Sequence, residues 1–216
     1  MNSQLTKLRI QDLGLVDFEL AYQIQRRIHS EVVAGGTQTL LLCEHPAVLT
    51  LGRLAKAENL LLPQEQILVQ GIKILNVDRG GDVTLHAPGQ LIAYPILALN
   101  QHGRDLKRYL WKLEEVAIDF LKGFGILTER FPGRTGVWIG HQKIASIGVG
   151  VKKWVSFHGI GINLNTDLKL FSLIRPCGMD VEMTSASKIL ARPVLWPQAL
   201  EKFKESFCRE FNFIPE

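Results

Sequence analysis

The segment VWIGHQKIASIGVGVKKWVSFHGIGINL, residues 137–164, decides the fold class of this chain. It predicts strands at residues 137–139, 143–151 and 154–164, with a tight turn at Gly140 between the first two. Strands joined by such short connections pair antiparallel. The segment therefore predicts the hairpin part of a sheet.

Helices and further strands surround this hairpin segment. Apolar residues at helical spacing predict helices over residues 18–32 and 106–121, a third that begins near Pro197, and a short one after Pro63. Further strands are predicted at residues 7–10, 39–44, 48–51 and 72–77. Neither a repeat nor a Pro/Ser-rich linker divides the chain. We therefore expect a single α+β domain over residues 1–216, with a mixed or mostly antiparallel sheet flanked by helices.

Composition excludes several classes of protein. Of the 216 residues, 46% are hydrophobic and 21% are charged, as in ordinary soluble proteins. No apolar run approaches the roughly 20 residues that span a bilayer, and the first residues lack a secretory h-region, so we expect a cytoplasmic protein that does not act at a membrane. The net charge of +4 suits an acidic protein partner. Without an arginine-rich block, it does not indicate nucleic acid.

The three cysteines lie far apart, at Cys43, Cys177 and Cys208. This spacing predicts neither a disulfide framework nor a zinc site, and the sequence indicates no metal or organic cofactor. Cys43 lies in an apolar run and Cys208 beside the apolar face of the last helix, so both are expected to be structural. Cys177 lies between Pro176 and Gly178. A turn there can present the thiol to a cleft with free backbone N–H groups beside it, which makes Cys177 a candidate nucleophile.

A cysteine nucleophile needs a nearby cation or base, because an unperturbed thiol is only a few per cent ionised at neutral pH. Lys143, which opens a predicted strand after a tight turn, is one candidate; the alternative is a solvated surface lysine. His86 or His158 could instead form a Cys–His dyad with Cys177. The residue chemistry alone leaves these choices open.

Small residues mark two places where a ligand could approach the backbone. Ser146, Gly148 and Gly150 alternate along one predicted strand and leave room for a ligand or a closely packed backbone. The stretch 79–90, RGGDVTLHAPGQ, combines an arginine, paired glycines and His86. It can form an anion-binding nest, or simply a Gly-rich hairpin with a hydrogen-bonded histidine.

Four segments together resemble the lipoyl(octanoyl) transferase family. They are RGGDVTLHAPGQLIAYPI (79–96), GRTGVWIGHQKIASIGV (133–149), FHGIGINLNTDL (157–168) and FSLIRPCG (171–178), and EHPAVLTLGR (44–53) is also similar. The resemblance implies the α+β catalytic fold of biotin- and lipoate-protein ligases, which is class II synthetase-like. It also implies that Cys177 carries an acyl thioester and that Lys143 lowers the pKa of its thiol.

The resemblance further implies an acyl-binding site. Its expected residues are Arg79, Gly80, Gly81, Asp82, Val83, Thr84, Leu85, His86, Ser146, Ile147, Gly148, Gly159, Ile160 and Gly161.

The resemblance also implies the partners and the reaction. The donor is an acidic octanoyl-acyl-carrier protein, and the acceptors are lipoyl domains of 2-oxoacid dehydrogenases and the glycine cleavage H protein. The alternative is an ATP-dependent lipoate or biotin ligase of the same fold, which needs no Cys177. A non-catalytic carrier-binding protein and a Cys–His hydrolase are the remaining hypotheses.

Overall fold

The computed structural model describes residues 6–176 and 181–216, and these residues form two sheets and five α-helices. The helices are α1 Phe18–Val33, α2 Gln64–Val69, α3 Leu106–Lys122, α4 Ala186–Leu190 and α5 Trp196–Phe211. The strands are β1 Thr6–Leu15, β2 Thr39–Glu44, β3 Val48–Leu51, β4 Lys73–Asn76, β5 Val83–His86, β6 Gln90–Ile96, β7 Glu129–Phe131, β8 Arg134–Ile139, β9 Gln142–Lys152, β10 Val155–Asn163 and β11 Phe213–Pro215.

The larger sheet is mixed, as predicted. Its strand order is β11-β1-β2-β6-β10-β9-β8-β7, with β1 parallel to both β11 and β2. The other pairs are antiparallel, including the hairpins β8–β9 and β9–β10 that residues 137–164 predict. The predicted helices and strands are confirmed, most of them with small shifts of their ends.

Residues 83–96 contain two strands, β5 and β6, that the sequence interpretation did not predict. The Gly-rich hairpin considered for residues 79–90 is wrong, because β5 pairs with β3 in a small sheet of order β4-β3-β5, whereas β6, which begins at Gln90, pairs with β2 and β10. The backbone at Gly89 (φ 82°) is held by other parts of the chain. Its N–H donates to Glu44 Oε1, and its carbonyl accepts from the N–H of Asn165. The chain therefore crosses from one sheet to the other at this bend.

The large sheet is covered by helices on both faces. Leu40 and Leu42 of β2 face the core under α3 and α5, whereas Leu41 and Cys43 face α1. This alternation follows from the period of two residues in a strand. Cys208 is also buried in the core, on α5, so both cysteines that were expected to be structural belong to buried apolar clusters.

Within the described residues, no helix is both long enough and apolar enough to cross a bilayer.

Candidate active site

A cavity lies between β5 of the small sheet and strands β6, β9 and β10 of the large sheet. It has about 540 Å³ of empty space, including its open mouth. Thirteen of the fourteen expected acyl-site residues line it: Arg79, Gly81, Asp82, Val83, Thr84, Leu85, His86, Ser146, Ile147, Gly148, Gly159, Ile160 and Gly161. Gly80 is not among the lining residues. That these residues bind an acyl group stays a prediction.

The loop that carries Arg79 packs directly on β9. The N–H of Gly80 donates to Val149 O over 2.8 Å. A Cβ at Gly148 would lie 3.0 Å from Arg79 Cδ and 3.2 Å from Gly80 O. The absence of a side chain at Gly148 therefore serves close backbone packing, one of the two uses that the sequence left open.

Arg79 and Asp82 hold this loop in place. The Arg79 side chain, 6% exposed, donates from NH2 to Thr50 O over 2.6 Å and from NH1 to Gly80 O over 3.0 Å. Asp82 accepts hydrogen bonds from Val83 N and from the Asn59 side chain. The carbonyl of Asn59 in turn accepts from Arg175 N over 2.9 Å. Asp82 therefore connects the wall of the cavity to the segment that leads to Cys177.

Lys143 is 1% exposed, so the surface-lysine alternative is wrong. An irregularity in the β8–β9 pairing places both Lys143 and the next residue of β9 opposite Trp138. Such a bulge redirects a side chain. Lys143 Nζ lies 5.2 Å from the centroid of the Trp138 ring.

Gly136 makes the space for this buried lysine. A Cβ at Gly136 would lie 2.5 Å from Lys143 Cε and 3.1 Å from Lys143 Nζ. The backbone there is fixed, because Gly136 N donates to Glu114 Oε1 over 3.0 Å and Arg130 pairs with the other oxygen of Glu114. Gly136 lies in a quoted family segment, but the sequence interpretation gave it no role.

Cys177 lies outside the described residues, so the structure gives no distance between Cys177 and Lys143. The described residues on both sides of 177–180 are held beside the cavity and Lys143. On one side, Arg175 N bonds to Asn59 O. On the other, Lys143 N donates to Glu182 O over 2.8 Å, and Thr184 N donates to Lys143 O over 2.9 Å.

The two candidate histidines both contact the cavity and both have hydrogen-bond partners. His86 Nδ1 lies 2.7 Å from Gln90 Oε1, and burial lowers the pKa of His86 to about 3. His158 Nε2 lies 3.1 Å from Asp78 Oδ1, which also accepts from Tyr22 OH over 2.7 Å. Burial lowers the pKa of His158 against the opposing effect of Asp78. A dyad of either histidine with Cys177 stays untested.

The backbone at His158 explains how its side chain reaches the cavity. Successive side chains normally point to opposite faces of a strand. His158 has φ 54°, however, and both Phe157 and His158 pack against α1, on His29 and Tyr22. A positive φ in a non-glycine strand residue beside a cavity is typical of functional sites.

Sequence interpretation missed Gln90 and Tyr94, which also line the cavity. Gln90 begins a strand whose other residues, LIAYPI, are all buried. A lone amide at the end of a buried strand must find hydrogen-bond partners, and this was the available signal.

Comparisons with known proteins agree with this geometry. Residues 17–212 match the family model described as the lipoyl protein ligase A/B catalytic domain. An octanoyltransferase from Caldicellulosiruptor saccharolyticus is 44% identical over 216 residues, which cover 96% of this chain and 92% of that protein. The chain belongs to the octanoyltransferase family. A second member, from Geobacter metallireducens, is 48% identical and covers 96% of this chain and 93% of its own length.

This chain shares its fold with ligases. Lipoate-protein ligase A bound with ATP superposes with a TM-score of 0.79 at 13% identity, covering 98% of this chain and 88% of the ligase. A biotin protein ligase from Aquifex aeolicus superposes with a TM-score of 0.59 at 15% identity, covering 94% and 70%. At such low identities the likeness concerns the fold alone. The family resemblance and the predicted ligase-like fold are both confirmed.

Proposed function

We propose that this chain, acting as one catalytic domain, transfers octanoyl from the thioester of an acyl-carrier protein to a lysine of lipoyl domains. The observation that carries the proposal is the buried Lys143, which lies in the slot made by Gly136 and is hydrogen-bonded to residues 182–184, after Cys177. Membership of the octanoyltransferase family supports it. The glycine cleavage H protein and the lipoyl domains of 2-oxoacid dehydrogenases are the proposed acceptors.

The reaction proceeds in two acyl transfers. The Cys177 thiolate attacks the octanoyl carbonyl, and the carrier's thiolate leaves and takes up a proton. The acceptor lysine amine then attacks the Cys177 thioester, loses a proton and forms an amide, and the Cys177 thiolate is regenerated. A thioester is exchanged for a thioester and then for a more stable amide, so ATP is not required.

The cavity provides an apolar environment for the acyl chain. Its lining includes Val83 and Leu85 of β5, Ile147 of β9 and Ile160 of β10. Each acyl methylene buried there contributes about 0.8 kcal/mol to the binding free energy, so each methylene removed from the acyl group weakens binding about fourfold.

The test is an intact-mass measurement after incubation with octanoyl-loaded carrier protein, without ATP or acceptor. We expect a mass increase of one octanoyl group in place of one hydrogen, removed by hydroxylamine and absent in Cys177→Ala. If the adduct is missing and transfer needs ATP with free octanoate, the chain is a ligase. Release of free octanoate without an acceptor would indicate a hydrolase. Binding of the carrier with neither an adduct nor transfer under any of these conditions would leave a non-catalytic carrier-binding protein.

A basic groove next to the cavity is the proposed docking surface for the acidic carrier. It lies between α1 and the β9–β10 turn, with about 730 Å³ of empty space including open solvent. Its described lining contains Arg26, Lys152 and Lys153 and no carboxylate. Arg26 NH1 lies 3.6 Å from the Asp78 carboxylate that bonds to His158, so the groove adjoins the cavity.

Replacing Lys152 and Lys153 together with glutamate is expected to raise the KM for the carrier protein about tenfold at low salt. Complementary charge at the rim of an interface mainly raises the rate at which two proteins associate. Salt screens this attraction, so the increase in KM should be smaller at high salt, while kcat stays unchanged. The double variant Lys107→Glu and Lys122→Glu on α3 makes the same charge change on the opposite face and should leave KM unchanged. An octanoyl thioester of a small thiol should react equally with all forms. Equal KM values for the carrier in both double variants would contradict this docking surface.

A further inference from the structure

A buried chain of hydrogen bonds leads from the cavity to the segment after Cys177. His86 Nδ1 lies 2.7 Å from Gln90 Oε1, Gln90 Nε2 donates to Asn163 Oδ1 over 2.8 Å, and Asn163 Nδ2 donates to Thr184 O over 3.0 Å. Gln90 is 3% exposed and Asn163 is 1% exposed. Buried amides with both ends bonded fix the groups that they join.

The direction of the bonds in this chain is determined from its far end. The Thr184 carbonyl can only accept, so Asn163 must donate from Nδ2 and accept at Oδ1. Gln90 must then donate from Nε2 and accept at Oε1. It follows that His86 carries its proton on Nδ1, and in the neutral ring Nε2 is the unprotonated nitrogen.

The surroundings of His86 favour the neutral ring. Burial lowers its pKa first, and the nearby His45, Arg79 and His158 lower it further against the effect of the Gln90 hydrogen bond. His45 shows the same arrangement, because its Nδ1 lies 2.6 Å from the carbonyl of Val16 and its Nε2 lies 2.7 Å from Tyr94 OH. Since a carbonyl only accepts, His45 also carries its proton on Nδ1 and accepts at Nε2.

The other end of this hydrogen-bond chain reaches Lys143, the lysine proposed above to act on Cys177. Thr184, whose carbonyl ends the chain, donates its own N–H to Lys143 O over 2.9 Å. Lys143 N bonds in turn to Glu182 O over 2.8 Å. Gly161 leaves room for the central amide, since a Cβ there would lie 3.0 Å from Gln90 Oε1.

We propose that Gln90 and Asn163 are positioning residues: they hold His86 with Nε2 unprotonated at the cavity wall and hold residues 182–184 against Lys143. The role in turnover rests on the proposed function. The geometry of the resting protein, in contrast, can be measured without any substrate. This makes failure of the positioning role distinguishable from failure of octanoyl transfer.

Gln90→Glu is the first test, because glutamate keeps the acceptor for His86 Nδ1 but removes the donor to Asn163. In the wild type, ¹⁵N NMR should show His86 protonated on Nδ1 alone throughout the neutral range. In the variant, the adjacent carboxylate should shift the titration of His86 upward, and kcat should fall about tenfold with little change in KM. The matched control is Gln38→Glu, just before β2, whose side chain bonds to Ala98 N beyond the far end of β6; it places a carboxylate against His102, 2.9 Å away. It should leave kcat and the His86 signals unchanged.

Asn163→Asp is the second test. A carboxylate can accept from Gln90 but cannot donate to Thr184 O, whereas a protonated carboxyl can donate. We expect kcat to fall about tenfold at neutral pH, and the ratio of variant to wild-type kcat to rise as the pH is lowered. Asn163→Leu should show the loss without this recovery. Protonation of His86 on Nε2 in the wild type, or wild-type kcat in a folded Gln90→Glu or Asn163→Asp variant, would overturn the proposal.

Discussion

Lys143→Met is expected to lower kcat for octanoyl transfer by about 30-fold at neutral pH, the loss that follows if the lysine acts by keeping the Cys177 thiol ionised. An unassisted thiol with a pKa near 8.5 is only a few per cent ionised at neutral pH, so most of the enzyme would lack its nucleophile. Methionine has similar length and packs well against an aromatic ring, so it can occupy the place of Lys143 over Trp138. The measurement is the single-turnover rate of acyl-enzyme formation.

Raising the pH separates the role of Lys143 from a folding defect. The Cys177 thiol ionises without assistance at high pH, so the rate of Lys143→Met should approach that of the wild type there. Cys177→Ala should stay inactive at every pH. A Lys143→Met rate that equals the wild-type rate at neutral pH, or that shows no recovery at high pH in a folded protein, would contradict this role.

Gly136→Ala is expected to reduce acyl-enzyme formation at least about tenfold by displacing Lys143, roughly 1.4 kcal/mol in the barrier. The added methyl would lie 2.5 Å from Lys143 Cε and 2.6 Å from Ala145 O, and the backbone has φ 128°, which L-residues rarely adopt. The lysine must therefore leave its slot or the strand must shift. The measurement is the rate of alkylation of Cys177, followed by peptide mass, together with kcat.

The matched control for this prediction is Gly140→Ala. Gly140 also has a positive φ, 56°, but an added methyl meets no atom within 4 Å. Gly140→Ala should lower the free energy of unfolding by about 1–2 kcal/mol, because alanine must adopt the left-handed backbone conformation. We expect no loss of activity. A folded Gly136→Ala enzyme that alkylates and turns over like Gly140→Ala would show that the slot does not position Lys143.

Local sequence predicted the elements of this fold well. The apolar spacing of α1 follows the helical period, and β2 is a short continuous apolar run, so neither needs information from distant residues. The segment 83–96 was different. Pro88-Gly89 has the composition of a hairpin turn, but Gly89 bonds to Glu44 and Asn165, which lie far away in the chain. Local composition therefore could not show that β5 and β6 belong to different sheets.

The sequence by itself determined the fold class, the family and most of the residues that line the cavity, because these depend on periodicity and on motifs carried within short segments. Only the tertiary structure decided that Lys143 is buried in a slot made by Gly136, that His158 turns toward α1, and that Gln90 and Asn163 connect His86 to Thr184. The physical reason is that burial and hydrogen-bond direction depend on partners from strands far apart in the chain. Those partners meet only when β6, β9 and β10 are aligned in one sheet.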